Sequence, residues 1–167
     1  MAVIKSRYFK TVLPLSVLLA LYSYSYAHGE KQHESEPETF DAVTTEFGRY
    51  KPELEPSQSI DISMADTMRF TPSDLKINKG DVVKFVVSND GALLHEFVLG
   101  TAPSLIEHAA LMVKFPNMEH EEAYMAHVDS GESMEIIWQF TESGSFEFGC
   151  LLPGHFEAGM KGTITVQ

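Results

Sequence analysis

The sequence predicts an all-β fold, a Greek-key β-sandwich with one helical insertion. Three observations carry that reading. Apolar side chains recur at every second position in Val83, Phe85 and Val87 and again in Met134, Ile136, Trp138 and Phe140, the spacing that lines one face of a strand. Turn signals such as Gly80-Asp81 and Glu142-Ser143-Gly144 separate these short stretches, which favours antiparallel strands in two layers. One segment alone, Ser104 to Phe115, carries its apolar residues at helical spacing.

Taken in order, the chain opens with a basic head (Lys5, Arg7, Lys10), an apolar stretch from Thr11 to Tyr22 and the small-x-small ending Ser25-Tyr26-Ala27. This is the make-up of a secretory signal cut after Ala27. Its apolar stretch falls well short of the roughly 20 residues that a spanning helix needs. The expected product is exported, periplasmic and without stable membrane insertion after cleavage. Residues 28–58 are rich in Glu, Ser, Pro and Thr with few large apolar side chains, and are expected to form an acidic, mobile leader. The folded domain is expected over residues 59–167, a single domain of ordinary size.

Within it, strands are expected at Ser59 to Ala65, Asp74 to Asn78, Asp81 to Asn89 and His95 to Gly100. Ser104 with Glu107 three residues later reads as a capping box. Leu105, Ile106, Ala109, Met112 and Val113 follow as one helical face until Pro116 ends the run. A polar loop is expected behind this helix, reaching to about Asp129. Strands then resume through Met134 to Phe140 and through Phe146, Phe148 and Cys150. The last three share a parity that turns the thiol inward at the end of its strand. Gly162 to Gln167 closes the domain.

The chemistry concentrates in the loop Cys150-Leu151-Leu152-Pro153-Gly154-His155-Phe156-Glu157-Ala158-Gly159-Met160, where a sheet-held thiol is followed by an imidazole and a thioether. His95, at the end of an apolar stretch upstream, completes a set of two histidines, a cysteine and a methionine. Thiolate and thioether suit Cu(I) while imidazoles also suit Cu(II), so the set fits one mononuclear copper ion of the blue, type 1 kind. Structural zinc sites are built from Cys and His and rarely recruit Met. A lone cysteine is by itself most often a small buried hydrophobe. Cys150, however, is the only cysteine of a chain read as exported, so it has no partner within the chain, and ligation would protect it.

Composition excludes other classes. Removing the signal takes three of the 12 basic residues and leaves nine against 24 acidic ones, a net charge of −15 with His neutral; nucleic-acid binding needs the opposite sign. Such a charge could steer a basic redox partner, a cytochrome or another copper protein, onto what is expected to be a monomer. Surplus ligands stand on the insertion: His108, Met112, Met118, His120, Met125 and His127. They raise a copper-handling role, with an accessory site, beside electron transfer. Oxidase catalysis fits less well: Gly149 and Leu151 rather than histidines flank Cys150, no His-x-His pair occurs, and there is no second cysteine for a binuclear site.

These residues resemble the cupredoxins, the small blue-copper sandwich proteins, over about Ile60 to Gln167. The resemblance rests on Met68-Arg69-Phe70-Thr71-Pro72, the Gly80-Asp81 turn into the Phe85 strand, Asn89, His95, and the Cys150 to Met160 loop followed by Lys161-Gly162-Thr163-Ile164. The spacing of four residues between Cys150 and His155, and again between His155 and Met160, is similar to that of rusticyanin. The insertion, with Lys114-Phe115-Pro116 and Met118-Glu119-His120, is similar to that of periplasmic cupredoxins linked to bacterial copper tolerance. The resemblance implies copper held by His95, Cys150, His155 and Met160, one-electron chemistry, and a role in copper tolerance or, alternatively, as a respiratory electron carrier. Glu96 departs from the family, where Asn or Ser often follows the first histidine; the hydrogen bonding around the thiolate is expected to differ there.

Overall fold

The computed structural model describes residues 40–116, 118 and 120–167. The signal-like segment and leader residues 28–39 lie outside the described residues. The strands are β1 (Val43–Thr45), β2 (Gly48–Tyr50), β3 (Gln58–Ala65), β4 (Arg69–Thr71), β5 (Asp74–Ile77), β6 (Val82–Asn89), β7 (His95–Gly100), β8 (Met125–Val128), β9 (Ser133–Gln139), β10 (Gly144–Gly149) and β11 (Lys161–Val166), with helix α1 (Ala102–Lys114) between β7 and β8. One sheet runs in the order β1, β2, β9, β6, β3, β4 and the other β5, β11, β10, β7, β8.

The period-two reading determines which side chains meet between the sheets. Val83 stands opposite Trp138 and Phe85 opposite Ile136 across the β6/β9 pair, and all four are buried. Phe97, Leu99, Phe148 and Ile164 face them from the second sheet, also buried. Ring centroids lie 5.4 Å apart for Phe85 and Phe97 and 5.1 Å for Phe97 and Phe148. Aromatic pairs at such separations contribute about 0.5–1.5 kcal/mol each beyond their buried area. Most ladders are antiparallel as expected, but β3 with β6 and β5 with β11 pair in parallel. Between β3 and β6 the chain leaves the first sheet, supplies β5 to the second and returns, the crossover that a parallel pair requires.

Three expectations are corrected. The described part of the 28–58 leader is ordered edge structure: β1 and β2 form a hairpin, and β2 joins β9 with Arg49 opposite Gln139. Phe47, in its turn, is buried and stacks on Trp138 at 5.2 Å with Tyr124 edge-on at 5.6 Å. One well-placed aromatic anchors a segment whose average composition is polar. Gly48 permits this approach, because a Cβ there would fall 2.4 Å from the Trp138 indole nitrogen.

The helix starts at Ala102 with Thr101, not Ser104, as its N-cap. Ser104 is instead the third helical residue, its hydroxyl accepting from the Thr101 N–H at 2.9 Å while its own N–H donates to Thr101 Oγ1 at 3.3 Å. Pro103 falls in the first turn, where its missing N–H has no helical partner to lose. Leu105, Ala109 and Met112 pack against Val98, Met125 and Leu151 as a second, smaller core.

The expected polar loop up to Asp129 contains β8, paired with β7 as His95 opposite Val128 and Glu96 opposite His127. Four residues without strict alternation leave little signal for a strand of this kind. Among the described residues no helix is long and apolar enough to cross a membrane.

Candidate metal centre

Three adjacent strands bring the four candidate ligands to one end of the second sheet. β10 runs antiparallel to both neighbours, with Gly149 opposite Val98 of β7 and Lys161 of β11. Cys150, directly after β10, therefore lies near the start of β7, where His95 stands, and near the start of β11, directly after Met160. The loop between is tied by its own main chain. Cys150 N–H donates to the Met160 carbonyl at 3.0 Å, Met160 N–H to His155 at 3.1 Å, and Ala158 N–H to Gly154 at 3.1 Å. Gly154 takes a φ of +88°, a left-handed conformation that favours glycine. From β4, Arg69 donates to the Ala158 carbonyl at 2.9 Å and holds the loop to the first sheet.

The donor atoms of His95, Cys150 and His155 all lie within 4.8 Å of one another. Cys150 Sγ is 3.2 Å from His155 Nδ1 and accepts from the Glu96 main-chain N–H at 3.3 Å. His95 is fully buried; its Nε2 lies 3.1 Å from Asp66 Oδ1, and its Nδ1 has no hydrogen-bond partner. Met160 is buried and is placed beside Cys150 by the main-chain bond between them.

These groups fit a copper ion. Burial pushes the Cys150 thiol up to about 12, so without a cation beside it the sulfur keeps its proton; a bound metal ion deprotonates a coordinating thiol outright. His155 is held below the usual imidazole value, first by burial and then by the nearby His95, which keeps its ring in the neutral, ligating form. The orphaned His95 Nδ1 completes the argument, since leaving a buried polar atom unpartnered costs about 1–3 kcal/mol.

Asp66, in the turn after β3, went unrecognised in the sequence. Besides His95 it accepts from the Ala92 and Leu93 N–H groups at 2.8 and 3.2 Å. These bonds, the Ala92 bond foremost, hold its carboxyl below the usual carboxylate range. It thereby fixes the His95 ring and leaves Nδ1 for the metal. Nothing in the sequence separates Asp66 from an ordinary turn aspartate. Asn89 was visible as part of the resemblance; buried, it donates to the Leu93 and Val128 carbonyls at 2.7 and 2.8 Å and so braces the approach to His95.

Glu96 differs from the expectation of a direct effect on the thiolate. It is buried, and its side chain turns from the sulfur: Oε2 accepts from Leu151 N–H at 3.1 Å. Oε1 lies 2.6 Å from His127 Nε2, close enough for an ion pair. Of the surplus ligands, Met112 and Met125 are core residues and Met118 is exposed. His108, His120 and His127 come together.

Fold and site together define a cupredoxin, a two-sheet protein built around one copper ion. Residues 57–167 match the model of the copper binding proteins of the plastocyanin/azurin family, and the chain belongs to that family. It is 46% identical over 123 residues, 74% of each chain, to the "Copper-resistant cuproprotein CopI" of Rubrivivax gelatinosus. To the protein so named in Vibrio cholerae serotype O1 it is 30% identical over 164 residues, 93% of this chain and 97% of that one. Among solved structures, the reduced auracyanin of Roseiflexus castenholzii superposes with a TM-score of 0.58 at 18% identity, over 68% of this chain and 99% of that one. At that identity the likeness speaks for the fold alone.

Proposed function

We propose that this chain is an exported, periplasmic type 1 copper protein that contributes to copper tolerance through one-electron chemistry, its ion held by His95, Cys150, His155 and Met160. The observation that carries the ligand set is the convergence of His95, Cys150 and His155 donor atoms within 4.8 Å around an unpartnered, buried His95 nitrogen. When bound, copper supplies a reversible Cu(I)/Cu(II) couple. The residues supply constancy around it. Asp66 holds one imidazole, the Glu96 main chain stabilises the sulfur, and the loop bonds keep His155 and Met160 near Cys150 in either oxidation state. The proteins named copper-resistant support the tolerance role, and the signal-like start of the sequence supports export.

The copper-binding family and the relatives named copper-resistant cuproproteins favour a copper and electron-transfer protein over an enzyme. The test is direct. Oxidised wild-type holoprotein should absorb strongly in the visible, Cys150→Ser should lose that band, and a deletion strain should grow poorly on excess copper while respiring normally without it. A colourless oxidised holoprotein, or an unchanged band in Cys150→Ser, would falsify the centre; poor respiration with normal copper tolerance would reverse the role.

A second reading, a dedicated carrier for a basic redox partner, is favoured by the half-exposed Leu93 and Leu94 beside His95. Of the apolar residues in the ligand loop, Leu151 is buried in the smaller core and unavailable for docking, whereas Leu152 and Phe156 stay partly exposed.

A further inference from the structure

We propose that His108 and His120, with His127 beside them, form a second copper site on the insertion, distinct from the His95, Cys150 and His155 centre. The three histidines come from three elements: His108 from α1, His120 from the connection after it, His127 from β8. No helical or strand repeat would gather them by chance periodicity. His108 and His120 bring their Nε2 atoms to 2.8 Å, with ring centroids 4.8 Å apart. Two N–H groups cannot face each other at that distance, so at least one nitrogen presents a lone pair.

His120 decides which. Its Nδ1 lies 3.3 Å from the Met118 carbonyl oxygen, which only accepts. The proton therefore sits on Nδ1 and the lone pair on Nε2, turned toward His108. A ring whose far nitrogen donates to a carbonyl is the usual form of a metal-ligating histidine. His108 donates across the contact in the metal-free chain, and it frees its own lone pair by moving that proton to Nδ1. Burial, then the neighbouring His120, holds His108 below the ordinary imidazole value, so its ring is neutral and ready to ligate near neutral pH.

The surroundings suit an ion. His127 stands edge-on to His120 at 6.4 Å between centroids. A groove of about 690 Å³ lined by His120, His127, Met118 and Glu121 opens beside the pair. Metal–nitrogen bonds of about 2.0–2.1 Å at a tetrahedral angle need nitrogens about 3.3 Å apart, an opening of about half an ångström from the observed contact. Imidazoles bind several first-row metals, with Cu(II) at the top of the affinity order, and a nearby thioether extends the preference to Cu(I). The choice of copper rests on the copper-tolerance reading given above; the existence of an ion site rests on the histidines alone. Glu96 touches both regions, since one oxygen lies by His127 and the other accepts from Leu151, next to Cys150.

The test is a Cu(II) titration of the full chain carrying His28→Ala and His33→Ala, so that N-terminal histidines do not compete, followed by visible absorption and electron paramagnetic resonance. Two equivalents should bind: one with the intense visible band, a second with a nitrogen-ligated signal and little colour. Adding His108→Ala and His120→Ala should weaken the second equivalent by about 100-fold or more and leave the visible band unchanged. That band also reports folding; if it is lost in the double variant, His120→Ala alone, on the connection, should still weaken the second equivalent at least about tenfold. Cys150→Ser should show the converse, no intense band but an intact second equivalent, which separates failure of the main centre from failure of this one. A single equivalent in the parent chain, or a second equivalent bound as tightly without His108 and His120, overturns the proposal.

Discussion

At the scale of single residues, burial disfavours charge on two of the candidate ligands, the Cys150 thiol and the His155 imidazole. Cys150 has an ordinary value of 9.0 and is raised to about 12 by burial. In the unfolded chain the thiol ionises from about 9, while in the fold it does so only near 12. Between these values the unfolded state holds fewer protons, so stability falls as pH rises through the window and is untouched below it. Thermal melts of the metal-free protein should therefore lose stability more steeply above about pH 9 than those of Cys150→Ser, and equal slopes would mean that the thiol is not buried. The same thiol would release its proton to solvent on binding a metal ion, so near neutral pH copper affinity should rise about tenfold per pH unit. Asp66 acts through His95. Asp66→Ala should weaken copper binding about 10–100-fold in chelator competition while the visible band keeps its position; unaltered affinity would show that the imidazole is held well enough by burial.

At the scale of elements, the hairpin of β1 and β2 is the part of the fold that composition conceals. Its anchor is Phe47 on Trp138, the only tryptophan of the chain. Phe47→Ala should cost about 3–5 kcal/mol in denaturant unfolding and shift Trp138 emission to the red in the folded state. A mobile leader would leave both quantities unchanged. The same segment shows why some elements were legible and others not. β6, β9 and β10 alternate over six to eight residues and bury one face, so period alone reveals them. β1, β2, β4 and β8 have three or four residues and owe their conformation to the longer strands beside them. The start of α1 was displaced for a related reason: Ser104 is competent as a cap, but Thr101 caps a helix that includes Pro103.

At the scale of the whole molecule, charge is the property that acts at a distance. The full sequence carries a formal net charge of −12, and such a field attracts cationic partners until salt screens it within a Debye length, about 8 Å at physiological ionic strength. The rate constant for oxidation of the reduced holoprotein by a small cationic complex should fall about tenfold or more from low to physiological salt. It should rise with salt for an anionic complex. Stopped-flow rates insensitive to salt would confine the acidity to a solubility role.

What the sequence determined by itself was local: the alternation that makes two sheets, the loop spacing of thiol, imidazole and thioether, and hence the family and its metal. These are visible because strand period and ligand chemistry are written in neighbouring residues. The tertiary structure alone decided which distant side chains serve them. Asp66 meets His95 across 29 positions, Glu96 meets Leu151 across 55, and His108 meets His120 only because α1 packs Leu105, Ala109 and Met112 on Val98 and Leu151. Such contacts follow from how whole elements pack, and that packing turns ordinary turn and surface residues into the supports of a metal site.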